Sequence, residues 1–143
     1  MRRIPDLSRD VRTDQSAMVV DIKDVFLVEI GTGTDLHGQN VSKAAVRACK
    51  DAIGFNSVVG LKKFLPNEDL TKMVVKVTLG LPAEYVGKVD LDQVRAVFPF
   101  GTVLINVKPG GLAIRAGVSL AEQGDADEDE SIIIVNAAVQ VGS

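Results

Sequence analysis

The chain has 143 residues, with few aromatic residues and only one each of cysteine and histidine. Because Cys49 is the only cysteine, neither an intramolecular disulfide nor a cysteine-rich zinc site can form within the chain. Cys49 lies among alanines in a helical pattern, which favours a small buried side chain over a nucleophile. The single histidine is His37, and it lies in the segment that is richest in glycine.

The chain also has no excess of positively charged residues. The chain has 16 Lys and Arg against 19 Asp and Glu, so its net charge is −3. Such a chain is poorly suited to neutralising a phosphate backbone, and we expect no nucleic-acid partner. No apolar run approaches the ~20 residues that cross a bilayer, and the first residues lack the apolar core of a secretory signal. We therefore expect no membrane partner and a cytoplasmic location.

The composition indicates a globular chain with one buried core. Hydrophobic residues make up 46% of the chain and charged residues 24%, close to the averages for globular proteins. A length of 143 residues corresponds to one ordinary domain. We predict a polar N-terminal arm over residues 1–23 and a single α/β sandwich domain over residues 24–143.

Hydrophobic spacing predicts two helices among several strands. The first helix, over residues 41–53, follows Asn40, a good N-cap, and its buried face is mostly alanine, which predicts close packing on the sheet. A second, short helix begins after Asp90. The predicted strands span residues 24–30, 73–81, 102–107, 112–118 and 131–141. The turn at Pro109-Gly110-Gly111 predicts a hairpin between the third and fourth of these strands.

The resulting element order is β-α-β-α-β-β, with room for one further strand. It predicts an α+β fold, a single-domain two-layer sandwich with a mixed, mostly antiparallel sheet and two helices on one face. The other face of the sheet retains Val28, Ile132 and Ile134 or their neighbours. Because a domain of this size cannot leave that face in water, we predict self-association.

The most informative segment covers residues 31–40, which we predict to be a glycine-rich loop between a strand and a helix. Backbone N–H groups and the positive end of the helix dipole would face a ligand bound there. His37 would act as general acid or base, and Asp35 would orient its ring. Lys43 and Arg47 would contact an anion. The predicted ligand-binding residues are Gly31, Thr32, Gly33, Thr34, Gly38, Gln39, Asn40, Lys43, Arg47 and Asn136.

Other interpretations of this segment stay open. Leu36 stands where a Rossmann motif needs its third glycine, and no Gly-Lys-Ser/Thr follows, so neither nucleotide-binding loop fits. Asp35 and His37, with Glu29 as a third ligand, would suit a metal-binding protein. A non-catalytic binding module and a purely structural turn are the remaining alternatives. The residues identify no cofactor, and no metal ligand is assigned.

Two features lie outside this segment. Asn136 places an amide in an otherwise apolar strand, where it would anchor the loop or face a ligand. The acidic residues 125–130 indicate a solvated loop.

The sequence GTGTDLHG at residues 31–38, followed by QNVSKAAVRACKDAI, resembles a small uncharacterised protein family of bacteria and plants whose hallmark is a GxGxDxHG motif. The resemblance continues through residues 55–57 and returns in VNAAV at residues 135–139. It implies no established reaction. It does imply that five residues match the family's defining positions: Gly31, Gly33, Asp35, His37 and Gly38.

The order of strands and helices is similar to the chorismate-mutase/YjgF-type fold, whose members assemble as trimers with ligand sites between subunits. That resemblance implies a homo-oligomer, with a trimer favoured, and a small-molecule site near a subunit interface. The loop and helix also resemble a segment of the ring-opening amidohydrolases, but their Ser-Gly-Gly run is missing and no catalytic residue is carried over. We predict that the chain binds a small polar or anionic metabolite, with hydrolysis or lyase chemistry on a carbonyl or amide compound.

Overall fold

The computed structural model describes residues 12–13, 21–124 and 130–143, and within them the chain forms six strands and two α-helices. The strands are β1 (Arg12–Thr13), β2 (Val25–Asp35), β3 (Val74–Leu81), β4 (Thr102–Pro109), β5 (Leu112–Arg115) and β6 (Ser131–Gly142). The helices are α1 (Val41–Gly54) and α2 (Leu91–Arg95). Short 3₁₀ turns connect α1 to β3 and flank the other elements.

The strands form one mixed sheet in the order β1-β4-β3-β6-β2. The β3–β4 pair is parallel, and the other described pairs are antiparallel. Both helices pack on one face of the sheet around a shared apolar core. The predicted α+β two-layer sandwich, with a mostly antiparallel sheet and two helices on one face, is therefore confirmed.

Strand β2 is longer than predicted. The expected strand ended at residue 30, whereas β2 continues to Asp35 and pairs with β6 along this extension, from Gly31 opposite Ala137 to Asp35 opposite Ile133. The prediction of a loop at residues 31–35 was wrong. Its glycines belong to a strand because a helix lies directly above them.

Helix α1 approaches the sheet too closely for side chains on two strand positions. A Cβ atom added to Gly31 would overlap the carbonyl oxygen of Ala48, and one added to Gly33 would overlap that of Ala44. The facing surface of the helix is built from small residues that are completely or almost completely buried: Ala44, Ala45, Ala48, Cys49 and Ala52. The close packing predicted from the alanine face is thus confirmed.

The predicted hairpin between the third and fourth strands is wrong, because β5 pairs with β6 and not with β4. Strand β6 pairs with β3 as far as Gly80, which stands opposite Asn136. Farther along the same side of β6, β5 pairs with it instead, from Leu112 opposite Ile134. The chain crosses the end of β3 at Gly110, whose N–H donates to the carbonyl of Leu81 at 2.7 Å. Glycine permits this crossing, since a Cβ on Gly110 would stand only 3.1 Å from Gly80 Cα.

Among the residues that the structure describes, those that cover the second face of the sheet lie at one end. There Ile22 packs on Val74 and Leu104, and Asp21 pairs with Lys76 at 3.2 Å. Elsewhere this face exposes apolar side chains, among them Ile30 at 68%. We call it the open face; the self-association predicted from it stays a prediction.

The predicted arm and acidic loop lie largely outside the described residues. Of residues 1–23, the structure describes the backbone pairing of Arg12 and Thr13 with β4 and the segment from Asp21 onward. Of residues 125–130 it describes Glu130, which pairs with Arg115 at 3.2 Å. The proposed boundary between arm and domain stays a prediction. Within the described ranges, no helix is long and apolar enough to span a bilayer.

We predict that Gly33→Ala lowers the free energy of unfolding by about 2–3 kcal/mol, because the new methyl group would force α1 away from the sheet. Urea denaturation measures the change. Gly60→Ala is the matched control, since Gly60 has a φ of −90° and open space around its Cα, and its effect should stay within about 0.5 kcal/mol. Equal stabilities of the two variants would contradict the close packing of α1.

We predict that Cys49 is unreactive in the folded protein. Burial raises the pKa of its thiol to about 12, so almost no thiolate forms at pH 8. Labelling with Ellman's reagent should be at least about 100-fold slower in buffer than in 6 M guanidinium. Comparable rates in the two solvents would show that the thiol is accessible.

Candidate functional site

The loop between β2 and α1 is a tight turn of five residues, 36–40. Gly38 and Gln39 adopt left-handed backbone conformations, with φ of 96° and 47°. Gln39 Nε2 donates to the carbonyl of Ser131 at 3.1 Å, which ties the loop to the start of β6. Asn40 caps α1, because its Oδ1 accepts from the N–H of Lys43 at 3.1 Å. The predicted N-cap is therefore confirmed, and the loop is held at both ends.

Asp35 is the buried charge at the centre of this turn. Asp35 is the last residue of β2, and only 2% of its surface is exposed. One carboxylate oxygen, Oδ2, accepts from the backbone N–H of Asn40 at 2.9 Å. The other, Oδ1, lies 3.7 Å from Nη1 of Arg47. Asp35 thus fixes the turn and holds a guanidinium of α1 beside it, and a carboxylate so partnered can remain buried.

Arg47 also binds the free edge of β2. Its Nη1 donates to the carbonyl of Thr34 at 2.6 Å. One turn later on the same helix, Asp51 accepts the N–H of Thr32 at 2.9 Å. These two side chains of α1 satisfy backbone groups that point away from β6, so they cover part of the edge that β2 forms in the described sheet.

A cavity of about 380 Å³ is present on the open face, and a separate, polar cavity of about 340 Å³ lies beside the turn. The polar cavity, which we call the turn cavity, is lined by Asp35, Leu36, His37, Lys43, Arg47 and Gln123. Four of the predicted functional residues therefore meet in one place. Lys43 and Arg47 are brought together because a spacing of four residues puts both on one side of a helix.

The structure does not bring the remaining predicted ligand residues into the turn cavity. Gly31, Thr32 and Gly33 lie within β2 and pair with β6, so only residues 36–40 remain as a loop. Asn136 lies on the open face, where its Oδ1 accepts from Thr32 Oγ1 at 3.4 Å. Whether any of these residues binds a ligand stays a prediction.

Sequence reasoning missed Gln123 and Leu36 as cavity residues. Gln123 ends a 3₁₀ turn, Ala121–Gln123, more than eighty positions after the loop. The following Gly124 approaches Gly38, which places this turn against the β2–α1 loop. Nothing local to Gln123 signals this position, because tertiary packing alone brings it there.

The charges at the turn cavity favour an anion. Lys43 and Arg47 supply two cations against the single buried carboxylate of Asp35. Lys43 also lies in the first turn of α1, where the helix dipole adds positive potential. Glu29, considered above as a metal ligand, accepts instead from Asn56 Nδ2 at 3.1 Å. In the part of the chain that the structure describes, no three side chains of His, Cys, Asp or Glu group together as a metal site would require.

Fold and site together define a small α+β sandwich with a cationic cavity where an edge strand turns into a close-packed helix. The chain belongs to the Lin0512_fam family of conserved hypothetical proteins, whose profile matches residues 25–141. This confirms the expectation of an uncharacterised conserved family.

Comparison with solved structures finds an FtsZ-like protein of unknown function from Nostoc punctiforme. The two sequences are 30% identical, and the match covers 82% of this chain and 93% of that one with a TM-score of 0.73. No curated protein matches the chain. The fold is therefore shared with a solved relative to which no function is assigned.

We predict that Asp35→Ala destabilises the protein by about 2–3 kcal/mol, because it removes a buried carboxylate that accepts from the Asn40 N–H and lies beside Arg47. Asp51→Ala is the matched control: Asp51 also accepts a backbone N–H but is exposed, so its loss should be below about 1 kcal/mol. Urea denaturation of both variants measures the difference. Equal losses would show that burial of Asp35 does not govern its contribution.

Proposed function

We propose that the protein binds a small polar or anionic metabolite in the turn cavity. The observation that carries the proposal is the convergence of His37, Lys43 and Arg47 on one cavity. Its volume, about 340 Å³, falls within the range of small-molecule sites. Cations in the first two turns of a helix, next to a polar loop, form an arrangement suited to carboxylate or phosphate.

Arg47 is the principal anion contact in this proposal. Its interactions with Thr34 and Asp35 both use Nη1, and a guanidinium has five N–H donors in a fixed plane. Its side chain is 49% exposed, so the guanidinium remains accessible from the cavity. A cation whose position is already fixed loses less conformational entropy when it binds an anion.

His37 is the proposed general acid or base, acting on a carbonyl or amide compound by hydrolysis or elimination. An imidazole at the cavity wall can give a proton to, or take one from, a group bound by Lys43 and Arg47. Asp35 is a positioning residue in this scheme, because it holds the loop that carries His37 through Asn40. A non-catalytic binding module would use the same cavity. A metal-binding protein would use Asp35 and His37, with the Arg47 guanidinium 3.7 Å from the Asp35 carboxylate opposing a cation there.

We extend the proposal to the sequence motif of the family and to the assembly of the protein. We take the GxGxDxHG positions as family-defining, and the overlap of α1 with any side chain at Gly31 or Gly33 supports this for two of them. We retain the chorismate-mutase/YjgF-type architecture, a cytoplasmic location, and a homo-oligomer, preferably a trimer, with the site near a subunit interface. Three exposed apolar side chains of the open face, Val28, Leu112 and Ile114, support self-association.

Isothermal titration with inorganic phosphate and with malonate tests anion binding. We expect Arg47→Ala to raise the Kd of the tighter probe at least about tenfold, the effect of losing one charge-assisted hydrogen bond. Lys50→Ala is the matched control, because Lys50 is an exposed cation of α1 outside the cavity, and it should bind as the wild type does. An unchanged Kd in Arg47→Ala would contradict the proposed site.

A turnover screen over small amides, lactams and cyclic carbonyl compounds tests the role of His37. Any activity found should fall at least about 100-fold in His37→Ala, the usual contribution of a general acid or base, with anion binding retained. Activity that survives this substitution would contradict the assignment of His37. Anion binding without turnover of any compound would favour the non-catalytic module.

A further inference from the structure

The second cavity lies on the opposite side of the sheet from the turn cavity and shares no lining residue with it. It is a groove of about 380 Å³ on the open face, at the place where Gly110 and Gly111 cross the end of β3. We call it the sheet-face groove. Two sequence features that the turn cavity leaves unused, Asn136 and the Lys108-Pro109-Gly110-Gly111 turn, meet in this groove.

The walls of the sheet-face groove are mainly apolar and are set by small residues. Ala138 and Gly80 leave space above the sheet, and Ile30 rises beside them with 68% of its surface exposed. The backbone at Gly110 lies close against β3, because a Cβ on Gly110 would stand 3.1 Å from Gly80 Cα. This segment therefore forms one wall of the groove. These features make a concave apolar surface of the size that holds a small organic molecule.

Three polar side chains line the same groove: Lys108, Thr78 and Asn136. Lys108 stands opposite Gly80 in the parallel β3–β4 pair and is half-buried. Among the residues that the structure describes, no carboxylate forms an ion pair with its ammonium group. The other lysine of the open face, Lys76, is paired with Asp21. An ammonium group beside apolar walls offers a bound carboxylate an opposite charge and hydrogen-bond donors.

In strands β2 to β6, the alternation of side chains places no acidic residue on the open face. The strand positions on this face in β2, β3, β4, β5 and β6 are occupied by apolar, hydroxyl, amide and lysine side chains. A second copy packed on the groove through its own open face would therefore bring no strand carboxylate to Lys108. An inorganic anion would satisfy Lys108 but would leave the apolar walls unused.

We infer that the sheet-face groove binds an organic monocarboxylate with a compact apolar body, branched aliphatic or aromatic. The carboxylate would lie on the Lys108 ammonium, with the Thr78 hydroxyl and the Asn136 amide as further donors. The apolar body would cover Ala138 and the side chain of Ile30. This site is separate from the turn cavity and does not depend on the function proposed there.

Titration with 3-methylbutanoate and benzoate, followed by two-dimensional amide NMR, tests the groove. We expect shifts centred on residues 78, 108–111 and 136–138. Lys108→Met should raise the Kd at least tenfold, and the uncharged amides of both acids should bind wild-type protein at least tenfold more weakly. Lys62→Met is the matched control, because Lys62 is an exposed lysine on a turn outside the groove, and it should bind both acids unchanged. Arg47→Ala should also bind them unchanged, which separates this site from the turn cavity.

Ala138→Phe provides a second test, since a phenyl ring at this position would fill the groove from the open face without entering the core. It should abolish carboxylate binding while the circular dichroism spectrum and the Tm stay close to those of the wild type. Absence of binding to wild-type protein at 10 mM ligand, or equal binding by Lys108→Met, would overturn the proposal. One further result would overturn it: the wild type binds no carboxylate and sediments as an oligomer, whereas Ala138→Phe sediments as a monomer. The groove would then belong to a subunit interface.

Discussion

The contact between the backbone of α1 and the glycines of β2 is the constraint on which the rest of this structure depends. Because Gly31 and Gly33 have no side chains, the carbonyl oxygens of Ala44 and Ala48 can approach the strand directly. The helix then lies so close to the sheet that polar side chains on its flank reach the outer edge of β2. Arg47 and Asp51 make use of this, and they bind backbone groups of β2 at the sheet edge.

The same contact positions the turn cavity. With α1 held against β2, the chain has only residues 36–40 in which to reverse, and the left-handed backbone at Gly38 and Gln39 accomplishes this. Asp35 is buried by the reversal and becomes the acceptor for Asn40 and the neighbour of Arg47. Lys43 and His37 complete the cavity from either side of the N-cap. The packing of a helix and the placement of cationic groups thus have a single origin.

What could be predicted from the sequence was mainly what is local. Asn40 caps α1 and the alanine face packs closely, because caps and helical periodicity are encoded within a few residues. Lys43, Arg47, Asp35 and His37 could be grouped for the same reason. The strand at residues 31–35 was missed, because glycine is depleted in strands and only the overlying helix explains its presence there. The pairing of β5 and the position of Gln123 were missed because both depend on contacts between distant segments.

Strand β6 pairs with β2, β3 and β5, and this has a consequence for biosynthesis. Val25 stands opposite Gly142, so the ladder joins residues that leave the ribosome more than a hundred residues apart. Until β6 emerges, β2 and β3 have no strand between them, and the apolar side chains of both lack their native neighbours on that side. Structures dominated by such distant pairings fold slowly, and they expose apolar surface while they fold. The nascent chain therefore leaves β2 and β3 open to non-native contacts until the last strand has been synthesised.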